Sequence, residues 1–321
     1  MNPQTLVGPG TLIKASYSFY KSHWKILALI AIIPAVISYI GIFLNLIDLP
    51  GIIILSGLVR IVGGVLSIVM SIVLIVVIHR LSVDHLVQVK VYDEYRAGFN
   101  YFGSFLLVSI ITGLAVMGSV CLFIIPGIIV AIFVAFASYA LIIDGKKGFS
   151  AVTESYSLVR GQGGQVFQNL FVLGLIMAGI QLLVLGLTLL VAWICGVNLS
   201  TLSETHQQIP VYVSLIGIII GLVVQAVLTP MAIIYNYRMY ISLKEVRKPE
   251  VSVVAFKRWV IAFMIIAPIA FILLFMVPIV LISLNTARQM SEARQSSVVD
   301  NVQLQQLLKN VEVSTSTTPN K

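Results

Sequence analysis

The chain has 321 residues, of which 59% are hydrophobic and 10% are charged, with a net charge of +8 and a mean hydropathy of +1.05. Soluble domains average about 45–50% apolar and about 25% charged residues, so this composition excludes a soluble enzyme, a disordered chain and a disulfide scaffold. The basic residues flank apolar runs and form no stripe interleaved with aromatic residues, so nucleic acid is not an expected partner. The composition predicts an all-α polytopic membrane protein.

Seven apolar segments are long enough, or nearly so, to cross a hydrocarbon core of about 30 Å as helices. They are residues 25–47, 52–79, 104–125, 126–143, 166–195, 211–237 and 259–284. The fourth follows the third with only Ile125-Pro126-Gly127 between them, which predicts a tight hairpin. We therefore expect a six-span domain (1–248), a basic linker (249–258), a seventh transmembrane helix (259–284) and a partly disordered tail (285–321).

Lys and Arg are distributed unequally between the connections. Fifteen lie on one side of the predicted spans, and the short connections 48–51, 125–127 and 196–210 contain none. Cytoplasmic connections are enriched in Lys and Arg, so we expect a multi-pass cytoplasmic-membrane protein with a cytoplasmic N-terminus and an extracytoplasmic tail. This basic face is expected to attract anionic lipids. Its residues include Lys14, Lys21, Lys25, Arg160, Arg238, Lys244, Arg247, Lys248, Lys257 and Arg258.

Two connections on the basic side have amphipathic helical patterns. One face of 11–25 carries Leu12, Tyr17, Tyr20 and Trp24, and one face of 148–160 carries Phe149, Val152, Tyr156 and Val159. Such stripes predict helices that lie in the membrane interface. Residues 16–21 and 155–160 also match locally, and 95–105 is a fainter third copy. A hypothesis follows in which residues 11–248 contain three units, each an interfacial helix followed by two spans.

Several short motifs resemble a known family. They are Ile125-Pro126-Gly127-Ile128, Ala137-Ser138-Tyr139-Ala140, Tyr17-Ser18-Phe19-Tyr20-Lys21, and Ala151 followed by Ser155-Tyr156-Ser157-Leu158-Val159-Arg160-Gly161. Residues 8–248 resemble the integral membrane domain of the glycerophosphoryl diester phosphodiesterase family and related prokaryotic six-span proteins. The resemblance implies a helical membrane module without chemistry of its own. In that family the hydrolysis belongs to a separate barrel, which needs about 200 residues or more, so the phosphodiesterase activity is not carried over.

The C-terminal part, from residue 257 onwards, resembles a different class of protein. Lys257-Arg258-Trp259, the apolar span and residues 279–294 resemble the stem helix of type IV pilin-like proteins. The Gly-plus-Glu processing site of pilins is missing, and Pro268 and Pro278 lie within the span. The alternative is a seventh helix with a solvated tail.

Candidate sites for chemistry are few. Ionisable residues at membrane depth are the usual markers of function, and only Arg60 lies inside an apolar run. Counting from His79 puts Arg60 at the outer headgroup boundary, where it snorkels or, alternatively, pairs with Asp48 or an anionic ligand in an outer vestibule. The histidines, His23, His79, His85 and His206, lack the spacing of paired ligands. We therefore expect no metal and no cofactor.

Two further features leave alternatives open. Cys121 and Cys195 both fall near the outer ends of spans, where they form a disulfide or remain two free thiols. Gly217 and Gly221 form a G-x-x-x-G pattern in the sixth span, which allows close helix approach within one chain or in a dimer.

The predicted function is non-catalytic: an anchoring, organising or accessory protein of the membrane. Its expected partners are membrane lipids and either another protein or a second copy of this chain. No acid, base or nucleophile lies next to a partner at membrane depth, so an intramembrane enzyme is a distant third class. The rival class is a transporter or lipid-handling protein. A polar mid-membrane cavity lined by Tyr, Ser, Gln181 or Gln225 would indicate that class, and a tightly packed apolar interior would count against it.

Overall fold

The structure, a computed structural model, describes residues 6–44, 50–84, 89–194, 211–246 and 253–291. These ranges are helical apart from short connections, and no β-strand occurs among them. Six segments are long and apolar enough to cross a membrane, with α4 and α5 together forming the fourth. The all-α prediction is confirmed for the described residues. The helices are α1 (Pro9–Leu44), α2 (Pro50–Val83), α3 (Val91–Leu122), α4 (Ile124–Val134), α5 (Ala137–Asp144), α6 (Phe149–Val159), α7 (Gly163–Ile194), α8 (Val211–Glu245) and α9 (Val254–Phe271).

The chain divides into two compact units, Met1–Met264 and Ile265–Lys321. In the second unit, α9 passes into a π-helical turn at Ile272–Met276, and the helix then continues over 277–291. The seventh transmembrane helix at 259–284 and its likeness to a pilin stem stay predictions. The tail from residue 292 onwards lies outside the described residues.

The core of the first unit lies mainly between α1, α2 and α8, where Leu27, Ile72 and Ile234 are fully buried. Burial is greatest in the half of these helices that carries the basic residues. We call this the basic end: it is formed by the starts of α1, α3 and α6 and the ends of α2, α5 and α8. Away from it, α7 exposes Leu182 and Trp193, each 67% accessible. Lipid tails are as apolar as these side chains, so in a bilayer such a surface needs no further cover.

The start of α1 corresponds to the first predicted interfacial helix. His23 has non-helical dihedral angles (φ −124°, ψ 19°), so two helical segments meet there. Leu12 and Tyr20 are buried, but Tyr17 and Trp24 are 56% and 52% exposed, so the four side chains do not share one buried face and the interfacial helix stays a prediction. The kink at His23 breaks the register with Trp24, and Tyr17 points away from the protein. The inward face has helical spacing and comprises Leu12, Ser16, Phe19 and Tyr20.

α6 corresponds to the second predicted interfacial helix. Val152 and Val159 are buried as the stripe predicted, but Phe149 and Tyr156 are only half-buried. The reason is that α6 packs on α4 and α5 through a face of mostly small side chains, which allows a close approach. That face comprises Ala151, Val152, Ser155, Leu158 and Val159.

The locally matching segments 16–21 and 155–160 have a similar burial pattern. Ser16 and Ser155 are buried in both segments, whereas Lys21 and Arg160 are exposed. This similarity supports the repeat hypothesis, which stays a prediction.

The hairpin between the third and fourth spans lies slightly earlier than predicted. Phe123 has extended dihedral angles (φ −161°, ψ 149°) and separates α3 from α4, so Pro126 and Gly127 belong to the first turn of α4. Proline is tolerated there because the first N–H groups of a helix have no partner within it. A Cβ at Gly127 would lie 3.0 Å from the Cα of Val120. Glycine therefore permits the close packing of the two helices.

Pro34 and Pro230 each interrupt the hydrogen bonding of a predicted span. In each case a tyrosine from another helix supplies the missing donor. Proline lacks an N–H, so Pro34 leaves the carbonyl of Ile30 without its usual helical partner, and Pro230 does the same to Ala226. The Tyr95 hydroxyl donates a hydrogen bond to the Ile30 carbonyl (2.7 Å). The Tyr20 hydroxyl donates one to the Ala226 carbonyl (3.2 Å). Both carbonyls are therefore satisfied inside an apolar region, where an unpaired one would be costly.

A third interruption separates α4 from α5 within the fourth predicted span. Ser155 of α6 serves both sides of this break. Its hydroxyl donates a hydrogen bond to the carbonyl of Phe133 (2.7 Å) and accepts one from the N–H of Phe136 (3.1 Å). A single buried side chain thus supplies the acceptor and the donor that the broken helix lacks.

Candidate functional site

The polar groups of the first unit gather at the basic end, where the last turns of α8 leave the apolar region. The Tyr240 hydroxyl donates a hydrogen bond to Asp144 Oδ2 (2.5 Å), and Lys244 Nζ lies 2.6 Å from Asp144 Oδ1. Asp144 ends α5, so this cluster ties α8 to α5. Because Lys244 is 39% exposed, water weakens the ion pair and its main effect is on geometry.

A second ion pair ties α2 to α3. Arg80 Nη1 in the last turn of α2 lies 2.6 Å from Glu94 Oε1 in the first turn of α3. Each charge also has the sign that favours its helix terminus. Glu94 is 7% exposed at its side chain, and its Oε2 has no hydrogen-bond partner within the described residues.

An open pocket of about 630 Å³ lies at the basic end between the start of α1 and the ends of α2 and α8. One wall is apolar and includes Leu12, Ala15 and Phe19 of α1. The facing wall is mixed, and its polar members are His79, Ser82, Tyr237, Arg238, Ser242 and Glu245. His79 Nδ1 lies 3.1 Å from the Tyr237 hydroxyl, which joins α2 to α8 across the base of the wall.

The segment before α1 is fixed against α7 beside this pocket. The N–H of Leu6 donates to Gln165 Oε1 (3.3 Å), and Asn169 Nδ2 donates to the carbonyl of Val7 (3.1 Å). The Tyr235 hydroxyl in turn donates to the carbonyl of Asn169 (3.0 Å). The first two bonds fix residues 6 and 7 to α7, and the third joins α8 to α7.

A second cavity is an apolar groove of about 400 Å³ between α4 and the start of α7. Ile128, Ile132 and Phe133 line one side, and Gly164 and Phe167 line the other. Its surface is almost entirely hydrocarbon, so it suits an acyl chain.

Aromatic rings and two cations lie near one end of this groove. Tyr156 stacks on Phe256 with ring centroids 3.9 Å apart. The guanidinium of Arg160 lies 5.8 Å from the Tyr156 ring, and Lys257 Nζ lies 6.0 Å from the Phe149 ring. The ring faces attract the cations and hold them at the surface.

The structure describes eight of the ten predicted basic interface residues. Those that are exposed are Lys14, Lys21, Lys25, Arg160, Lys244, Lys257 and Arg258. Arg238 is half-buried and lines the 630 Å³ pocket. Arg247 and Lys248 lie outside the described residues.

Arg60, the candidate for an outer vestibule, is exposed on α2. Its aliphatic part lies against α1: a Cβ at Gly41 would be 2.8 Å from Arg60 Cγ. Asp48, its predicted partner, lies outside the described residues, so the snorkelling and vestibule interpretations both stay open.

The buried polar side chains of the described residues fall into two groups. Ser16, Glu94, Ser155, Asn169 and Ser242 lie towards the basic end, and Ser56 and Ser119 lie towards the opposite end. Between them, the polar atoms of the core include tyrosine hydroxyls that donate to backbone carbonyls, as Tyr20 and Tyr95 do. Gln181 is exposed on α7 and Gln225 is half-buried.

Three further predictions concern the two cysteines, a metal site and the G-x-x-x-G pattern. Cys121 is half-buried and free, while Cys195 lies outside the described residues, so the disulfide stays untested. The described residues contain no cluster of His, Cys, Asp and Glu suited to a metal ion. Gly221 faces Tyr39 of α1 and Gly217 faces Thr188 of α7, so both glycines contact helices of the same chain.

No protein family, curated protein or solved structure matches this chain. The resemblance to the phosphodiesterase membrane domain therefore stays an expectation from the residues.

Sequence reasoning missed the hydroxyls that compensate the broken helices, above all Tyr20, Tyr95 and Ser155. The prolines in the sequence indicate where such hydroxyls are needed, because each proline leaves the carbonyl four residues earlier without a hydrogen-bond donor. Which hydroxyl supplies it depends on contacts between residues 65 to 206 positions apart, and no local pattern carries that information.

Proposed function

We propose that this chain is a non-catalytic integral protein of the cytoplasmic membrane with an anchoring or organising role, and that its basic end faces the cytoplasm and gathers anionic lipid. The observation that carries the proposal is the set of exposed cations at that end, which includes Lys14, Lys21, Lys25, Lys257 and Arg258. Each such cation near an anionic leaflet is worth about 1 kcal/mol of attraction.

The interior supports an organising role over transport. Between the two groups of buried polar side chains, the hydroxyls of Tyr20 and Tyr95 are already bonded to backbone carbonyls, which leaves a solute few polar partners along the way. The hydroxyl bonds at the helix breaks leave those breaks satisfied, so none of them supplies a free carbonyl to a passing ion.

The test is lipid enrichment around the protein in vesicles of phosphatidylcholine with a minor fraction of labelled phosphatidylglycerol. We expect energy transfer from the protein's tryptophans to the label above the value for random mixing, with a decrease in high salt because screening weakens exposed charges. Replacing Lys14, Lys21, Lys25, Lys257 and Arg258 together with Gln should abolish most of the enrichment.

The matched control replaces the four lysines of that set with Arg, which keeps every charge. This variant should retain the enrichment. Equal enrichment by the Gln variant would show that the cations do not gather the lipid and would contradict the proposal.

A second candidate function, lipid handling, is favoured by the apolar groove between α4 and α7 and by the break between α4 and α5. Broken helices beside a groove occur in membrane transporters. Transbilayer movement of a fluorescent phospholipid in the same vesicles distinguishes the two. We expect no acceleration over protein-free vesicles, and a clear acceleration would favour lipid handling.

A further inference from the structure

The pocket between α1, α2 and α8 contains the positively charged side chain of Arg238. Packing against α1 holds this side chain in place, and no described carboxylate neutralises it. The guanidinium of Arg238 lies 5.5 Å from the ring centroid of Phe19, which is itself buried. Within the described part of the chain, Arg238 has no carboxylate partner. By contrast, Arg80 and Lys244 each have a carboxylate oxygen at 2.6 Å.

Hydrogen-bonding groups line the same pocket as this guanidinium. His79 and Tyr237 lie on the same wall, joined at 3.1 Å, and Ser82 and Ser242 also line the pocket. Arginine with neighbouring hydroxyl and imidazole groups suits a phosphate, because the planar guanidinium binds two phosphate oxygens at once.

The pocket also contains an acidic group, Glu245, seven residues after Arg238 on α8. At 1.5 Å per residue the two positions are about 10 Å apart along the helix axis. This spacing leaves room for one headgroup to lie between the two residues. A ligand with a phosphate at one end of its headgroup and a hydroxyl or ammonium donor at the other would satisfy both residues.

The remaining lining is apolar except for Thr11, and it reaches the outside. Leu12 and Phe19 are almost fully buried, whereas Ala15 and Ile241 are half-buried and Val83 at the rim is 74% exposed. The volume of about 630 Å³ falls within the usual range of small-ligand sites. Such a surface accepts the upper part of an acyl chain.

We propose that this pocket binds a phospholipid headgroup, with the phosphate on Arg238, a terminal hydroxyl or ammonium group on Glu245, and the start of an acyl chain along Ala15, Ile241 and Val83. The proposal rests on the proposed function only in that the basic end meets a lipid leaflet. It differs in requiring one defined site, whereas the exposed cations attract lipid without a pocket.

The experiment is native mass spectrometry of the full chain in an uncharged detergent with three probes: dioctanoyl phosphatidylglycerol, dioctanoyl glycerol and inorganic phosphate. We expect one tightly bound phosphatidylglycerol per chain and no comparable binding of the other two. Equal binding of inorganic phosphate would mean that the pocket is a phosphate site, and equal binding of dioctanoyl glycerol would mean that only the chain is recognised. Either result overturns the proposal.

Variants test the assigned residues. Arg238→Gln should weaken binding by about tenfold or more, because it removes a charge-assisted pair of hydrogen bonds. The control Arg258→Gln makes the same charge change at an exposed position outside the pocket and should leave binding unchanged. Arg238→Lys keeps the charge but loses the two-pronged geometry, so we expect an intermediate affinity. An Arg258→Gln effect as large as that of Arg238→Gln would contradict a defined site.

Two readouts keep the proposals separate. Thermal unfolding in detergent tests whether the Arg238→Gln variant is folded. If it is not, the affinity of the Arg238→Lys variant for dioctanoyl phosphatidylglycerol tests the assigned phosphate contact. The five-residue Gln variant used for lipid enrichment leaves Arg238 intact, so it should lose enrichment in vesicles but keep one bound dioctanoyl phosphatidylglycerol. Loss of both together would overturn the pocket as a separate site.

Discussion

Tyr20 and Tyr95 show how single residues allow prolines inside apolar helices. Each reaches from its own helix to another and donates a hydrogen bond to the carbonyl that a proline has left without a partner. The two tyrosines also precede a basic residue, Lys21 and Arg96, which is exposed in both cases. The aromatic ring is buried while the next side chain remains at the surface.

Replacing Tyr95 with Phe should destabilise the protein by about 1 kcal/mol, because the Ile30 carbonyl loses its donor while the ring is retained. Thermal unfolding of the purified protein in detergent measures this. The control is Tyr92→Phe, since Tyr92 is 77% exposed and should change stability little.

A double variant tests the mechanism. Pro34→Ala restores the N–H that bonds the Ile30 carbonyl, so Tyr95→Phe should have a smaller effect in that background. Equal effects in both backgrounds would show that the Tyr95 hydroxyl does not act through the proline-freed carbonyl.

At the scale of elements, helix packing in this chain depends on a few positions where a side chain would collide. α8 contacts α1 through Gly221 and contacts α7 near Gly217. A Cβ at Gly221 would lie 2.9 Å from Cζ of the Tyr39 ring, whereas one at Gly217 would lie at an ordinary 3.7 Å from Thr188 Cγ2. Within this one motif, the packing therefore leaves no room for a side chain at Gly221 but leaves room for a methyl group at Gly217.

Gly221→Ala should destabilise the protein by about 1–3 kcal/mol, because the tyrosine and the helix must shift to admit the methyl group. Gly217→Ala is the matched control and should be neutral or slightly stabilising, since alanine is the better helix former. Thermal unfolding measures both. If the motif instead joins two chains, both variants would shift the oligomeric state seen by light scattering, which would contradict the intrachain assignment.

At the scale of the whole molecule, the distribution of Lys and Arg predicts the orientation, because cytoplasmic connections are rich in them. The described helices agree with one consistent arrangement of the first unit, since α1, α3 and α6 begin at the basic end and α2, α5 and α8 end there. Which side of a membrane this end faces is a prediction.

Single cysteines at Lys14 and Lys257, introduced after Cys121 and Cys195 are replaced with Ala, should react with a membrane-impermeant maleimide only when bacterial spheroplasts are permeabilised. Both positions are exposed, so access depends on the side of the membrane. A cysteine at Arg288, beyond the predicted seventh transmembrane helix, should react in intact spheroplasts. Reaction at Lys14 in intact spheroplasts would reverse the orientation.

The sequence by itself determined the class of the protein and the approximate course of its spans. An apolar run of about 20 residues has few alternatives to a membrane helix, since every backbone group must be satisfied internally. The structure adds that Gly161, between α6 and α7, has φ +93°, a conformation that glycine adopts most readily.

Only the tertiary structure decided which faces turn inward and where functional groups meet. Tyr17 and Tyr20 have similar sequence surroundings, yet Tyr20 is buried against α8 and Tyr17 is exposed. Arg238 and Lys244 belong to one basic run, yet Lys244 pairs with Asp144 and Arg238 faces a pocket. The physical reason is that partners from helices 100 or more residues away set burial and charge pairing, and a periodic pattern along one helix does not encode which helix will lie beside it.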